Sequence, residues 1–147
     1  MDDPNQARPG WLAFAVGSAV FAAATALLGK VAVGELNSNL ATLIRTVVIL
    51  ALTAGIVAAR GEWQPLGALS QRAVLMLVLS GAATGLSWLC YYRALQLAPA
   101  SRVAPVDKLS VAITIVLGVL VLGEPLNWRI AAGGGLIVAG VVVLARG

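Results

Sequence analysis

Five long apolar runs separated by short polar breaks dominate the pattern along these 147 residues. The runs cover about 11–28, 40–59, 73–97, 101–122 and 128–144, each near the ~20 residues that an α-helix needs to cross a bilayer. No strand alternation of period two competes with them, so the pattern predicts an all-α membrane protein of five transmembrane helices. Residues 1–10 form a polar lead with Asp2, Asp3, Pro4, Arg8 and Pro9, too short and polar to pack alone and expected to be mobile. Arg8 before an apolar run has the look of a secretory signal, but the run is long for an h-region and four further spans follow it.

The breaks carry turn chemistry. Residues 34–39 contain Glu35, Asn37, Ser38 and Asn39, with Ser38 or Asn39 expected to cap the second helix. Residues 60–72, with Gly61, Glu62, Pro65 and Gly67, form a polar loop. Gly123, Glu124, Pro125, Leu126 and Asn127 turn the chain before the fifth span. Pro105 lies in the early turns of the fourth span, where it removes the amide that would bond the Ser101 carbonyl and so predicts a kink.

Composition narrows the class further. Hydrophobic residues make up 60% of the chain and charged residues 11%, against about a quarter charged in a soluble globular protein. Spans and connections use the whole length, leaving no soluble domain. The net charge of +4 comes from bases scattered between apolar runs, not from a patch or stripe, which speaks against nucleic acid as a partner. One cysteine, Cys90, and no histidine leave neither a disulfide framework nor a metal constellation. No cofactor site and no enzymatic nucleophile–base arrangement is expected.

Polar residues inside the runs are the candidates for function, because ionisable side chains at membrane depth are costly and face an interior, a cavity or a partner. Asp107, Ser110 and Thr114 fall at i, i+3 and i+7, a stripe that is hard to place against lipid. Lys108 is turned about 100° from Asp107 on a continuous helix, so the two need not pair. Arg45 is the sole charge within the second span, either a site residue or a side chain that snorkels to the interface. Thr84, Trp88 and Tyr91 share a face of the third span, to line a cavity or to form an interfacial aromatic belt. Tyr92 and Gln96 form a second polar pair at i and i+4. In the fifth span Ala131, Gly135 and Ala139 recur every fourth residue and offer a smooth face for dimerisation, or for packing within one chain.

Several of these residues carry a family resemblance. Tyr92-Arg93-Ala94-Leu95, Pro99-Ala100, Val103-Ala104-Pro105-Val106, the Leu122-Gly123-Glu124 end of the fourth run and the Gly-Gly-Leu-Ile-Val-Ala-Gly of residues 134–140 resemble the EamA domain of the drug/metabolite transporter superfamily. The resemblance implies one five-helix EamA-like repeat over residues 11–147, where most such transporters have two repeats in inverted orientation. It implies a polar central cavity built by the first four spans, a region that includes Arg45, Trp88, Asp107 and Lys108. The four-span small multidrug resistance exporters are similar too, but they carry a coupling glutamate in the first span, and residues 11–28 here contain no acid.

Charge distribution adds a topology. Arg8, Arg60, Arg72 and Arg129 fall on one side of a five-span chain; Lys30, Arg102 and Arg146 fall on the other, with Arg93 near them. The positive-inside bias is nearly balanced, slightly favouring a cytoplasmic N-terminus and permitting both orientations. Lys30, Arg45, Arg93, Asp107 and Lys108 are all expected in one leaflet, an electropositive end that suits an anionic or zwitterionic small molecule. The expectation is a multi-pass protein of a bacterial inner membrane, a homodimer, moving a small polar or amphipathic metabolite by alternating access. The competing reading is a non-transporting membrane subunit or a lipid-carrier flippase component.

Overall fold

The computed structural model describes residues 10–146, and the polar lead expected from the sequence lies outside them except for Gly10. Six α-helices and one 3-10 turn follow one another: α1 (Trp11–Glu35), α2 (Ser38–Arg60), the turn (Leu66–Ala68), α3 (Gln71–Leu97), α4 (Ala100–Asp107), α5 (Leu109–Leu122) and α6 (Trp128–Arg146). Counting α4 and α5 as one broken span, Ala100–Leu122, five segments are long and apolar enough to cross a membrane. The protein is all-α. Exposed apolar side chains cover most of it, as expected where lipid replaces water as the solvent.

Local chemistry sets the helix ends. Asn37 caps α2, its Oδ1 accepting the Asn39 amide at 2.9 Å, one residue before the expected cap. Gly61 ends α2 and Gly123 ends α5, both left-handed at φ 64° and 67°. A bond from the Glu124 amide back to the Gly118 carbonyl, 3.1 Å, closes the second of these caps, and Pro125 then prevents the helix from continuing. Asn127 starts α6 by accepting the Ile130 amide at 2.9 Å.

Two features depart from the sequence expectation. The first helix runs on to Glu35, through Lys30 and beyond the expected end at Leu28. The fourth span is divided outright: the Lys108 amide bonds the Pro105 carbonyl and the Val111 amide bonds the Lys108 carbonyl, each 3.0 Å and three residues back instead of four. The proline therefore does more than bend a continuous helix; its effect is taken up as a tight turn at Lys108.

Inside the spans, hydroxyls find acceptors on their own helix. Thr25, Thr42, Thr46, Thr53 and Thr84 each donate to the carbonyl four residues back at 2.8–2.9 Å. Such bonds satisfy the side chain where lipid offers no partner.

The chain divides into two compact units. One contains α1 as far as Leu28 together with α4, α5 and α6. Within it α6 packs on α4 and α5, with Gly134 and Val141 buried and the Ile115 Cδ1 lying 3.0 Å from where a Cβ on Gly134 would be. Gly118 is buried as well, with the Glu124 carboxylate folded over it at 2.7 Å from a would-be Cβ.

The other unit is Gly29–Leu97, the end of α1 with α2 and α3. Tyr92 is 4% exposed, and its ring lies against Gly29, with Cε1 only 2.5 Å from the position of a Cβ there. The Lys30 amine donates to the Leu95 carbonyl, and Leu95 is wholly buried. Gln96 Nε2 donates to the Leu36 carbonyl at 3.0 Å and to Val33 at 3.4 Å, covering acceptors that the end of α1 leaves open.

These two contacts fix the expected cost of enlarging each glycine. Gly134→Leu should lower stability by roughly 1–3 kcal/mol through overpacking against Ile115, whereas Gly135→Leu, with open space around it, should leave folding unchanged. Gly29→Ala should displace the Tyr92 ring at a similar cost of about 1–3 kcal/mol. Unfolding titrations in mixed detergent micelles measure all three.

Candidate functional site

Arg45 lies two turns into α2, half-buried, and its guanidinium faces α3. The Cζ atom is 3.3 Å from the Trp88 ring centroid and 5.7 Å from that of Tyr92. A cation over an aromatic face contributes about 0.5–2 kcal/mol, more as water is excluded. Trp88 also meets Tyr91 edge-on, with centroids 5.4 Å apart at 75°, and Tyr92 at 5.7 Å and 40°. The aromatic residues of α3 thus form a cluster at helical spacing on which the guanidinium rests.

Among the described residues no carboxylate pairs with this base; Arg60–Glu62 and Lys108–Asp107, both at 3.4 Å, join other residues. Tyr92, which the sequence offers as one of a polar pair with Gln96 and not as a substrate residue, seats the cluster, because its ring is held in the space left by Gly29. The signal for it was the Tyr92–Gln96 pair, which the structure resolves into two separate contacts with the end of α1.

Thr84 is on the same helix one turn before Trp88, its hydroxyl bonded to the Ser80 carbonyl. A cleft of about 480 Å³ opens nearby in the same unit, lined by Asn37, Ser38, Asn39, Leu89, Cys90 and Arg93. None of the site residues chosen from the sequence lines it. Arg93 itself is tied to Gln96 at 3.0 Å.

Asp107, Lys108, Ser110 and Thr114 belong to the other unit. Asp107 and Lys108 are paired, Nζ to Oδ2 at 3.4 Å, where a continuous helix left them apart. The reason is the turn at Lys108, with ψ −6°, which breaks the helical step between the two residues. The same break interrupts the i, i+3, i+7 register: Ser110 and Thr114 remain one turn apart on α5, while Asp107 ends α4. All four are exposed. So are Ala131, Gly135 and Ala139 on α6; the residues of that helix that pack inward are Gly134 and Val141.

Comparison with known proteins places these features in a family. Residues 9–146 match the EamA-like transporter family. The chain is 53% identical over 135 residues to a protein of Sinorhizobium sp. described as an uncharacterized transporter in the cobO 3′ region, an alignment covering 92% of this chain and 96% of that one. No solved structure matches the chain. A break in the fourth apolar segment, five segments able to span a bilayer and a match over nearly the full length lead to one assignment: this multi-pass membrane protein belongs to the EamA-like transporter family.

Proposed function

We propose that the protein is a transporter of a small polar or amphipathic metabolite, acting as a homodimer by alternating access in a bacterial inner membrane. Residues 11–147 act as one transmembrane domain, and two copies complete the transport path. The observation that carries this reading is the exposure of Asp107, Lys108, Ser110 and Thr114 inside an apolar span. Ionisable groups facing lipid are expensive, by about 2.5–3.5 kcal/mol each on insertion scales, so a second copy or an aqueous cavity is the natural neighbour for them. The small-residue face of Ala131, Gly135 and Ala139, unused within one protomer, supports α6 as the dimer contact.

The broken fourth span supports alternating access, since irregular backbone at membrane depth belongs where it borders a cavity and a discontinuous helix can change angle at its break. No covalent step is required; transport needs a binding site that opens to each side in turn. Arg45, Thr84, Trp88 and Tyr91 are the proposed substrate residues in one unit, and Asp107, Lys108, Ser110 and Thr114 in the other. The excess of bases over acids near these positions favours an anionic or zwitterionic substrate.

The decisive experiment is flux. Purified protein in liposomes should give saturable uptake across a panel of small carboxylates, amino acids and phosphorylated metabolites, and no flux beyond that of empty vesicles would support a non-transporting membrane subunit. The dimer has its own test. Gly135→Leu should lower the crosslinked dimer fraction severalfold without loss of insertion, and termini carrying reporters should be found on both sides of the membrane, moving to one side when one or two arginines are relocated. A single orientation insensitive to charge would exclude an antiparallel dimer.

A further inference from the structure

Stacking on Trp88 occupies the face of the Arg45 guanidinium and leaves its edge. The five N–H donors of arginine lie in the guanidinium plane, so a face-on cation–π contact consumes none of them. Among the described residues Arg45 donates no hydrogen bond and meets no carboxylate; its partners are the Trp88 and Tyr92 rings. A half-buried base in an apolar span, held in a fixed orientation and with its donors unspent, is an uncommon arrangement. Bidentate binding of a carboxylate is the interaction that such a planar fork matches best.

Three further observations narrow the ligand. Lys30 donates to the Leu95 carbonyl and Arg93, at an exposed position, spends an N–H on Gln96, whereas the planar edge of Arg45 is whole, and one such fork matches one carboxylate. Trp88 and Tyr91, crossed edge to face, put apolar aromatic surface beside the fork. Tyr92, wedged against Gly29, meets both members of the stack, with its ring centroid 5.7 Å from that of Trp88 and 5.7 Å from the Arg45 Cζ. We propose that Arg45, stacked on Trp88, is the seat for the carboxylate of a small monocarboxylate that carries an aromatic or apolar group. The proposal rests on the transporter reading for its biological meaning and names the substrate class of that site; Tyr92 and Gly29 act as positioning residues.

Trp88 can report on the seat directly. Trp11, Trp63 and Trp128 are exposed and can be replaced by phenylalanine, leaving Trp88 as the single tryptophan. In lipid-free maltoside micelles, benzoate should change Trp88 emission saturably, and benzamide, of the same shape without the charge, should do so at least tenfold more weakly. Arg45→Gln should weaken benzoate by about ten- to a hundredfold, the factor expected for losing a charge-assisted hydrogen-bonded pair. Arg45→Lys, which keeps the charge and loses the fork, should still be weaker than the parent. Equal response to benzoate and benzamide in the parent protein overturns the proposal without relying on any Arg45 variant folding. So does a response to inorganic phosphate or phosphatidylglycerol with none to benzoate, which would make Arg45 a phosphate or lipid-headgroup contact. Liposome flux separates this result from the transporter reading: saturable flux of other solutes with no benzoate binding rejects the seat alone, and benzoate binding without flux of any solute keeps the seat and rejects transport.

Discussion

A polar group inside a bilayer has no water to fall back on, and in the unit built from the end of α1 with α2 and α3 this requirement determines which residues touch. The Lys30 amine needs an acceptor and takes the Leu95 carbonyl; the last carbonyls of α1 need donors and take the Gln96 amide; the Arg45 charge needs compensation and takes the Trp88 ring. Each solution joins two different helices at the same end of the unit. The threonine hydroxyls, by contrast, solve the problem on their own helix and contribute nothing to association. Removing one of these long-range polar contacts would therefore cost both its own energy and the register of two helices.

This accounts for how much was legible beforehand. The five apolar runs are imposed by bilayer thickness, a property of the solvent, so a window of residues suffices to find them. Their ends are harder, because an end depends on what the last polar group meets. Lys30 reads as the close of a span; in the fold it is interior to α1, since its acceptor sits on a helix sixty-five residues away. Pro105 was visible as a kink because the lost amide is a local fact, but a turn that pairs Asp107 with Lys108 requires knowing how the backbone relaxes around it.

The candidate site shows the same division. Arg45 and Trp88 were each singled out alone, one as a charge in an apolar run and the other as part of an aromatic face. Their stacking was not legible, because nothing local relates a residue of α2 to one of α3. The sequence shows Tyr92 as half of a polar pair but not as a support of the site, for a sharper reason: its place depends on the missing side chain of Gly29, and one glycine among the 16 in this chain carries no mark of having a ring against it.

What one protomer leaves unmet is as informative as what it satisfies. On α4 and α5 an acid, a base and two hydroxyl side chains are exposed within a span, and on α6 a row of small residues faces outward while the neighbouring Gly134 and Val141 do the packing. The first is a demand for polar surroundings and the second an offer of close approach, and they arise from different chemistry. A second copy, as proposed, would answer both, and under the positive-inside rule nearly balanced flanking charges would oppose its insertion in the opposite sense only weakly. For two copies of one chain to sit in opposite senses, as the antiparallel form of the proposed dimer requires, the orientation bias of each copy has to be close to zero. On the proposed reading, the near balance of bases at the two ends of the spans has a functional meaning for the chain, as the residues of the site do.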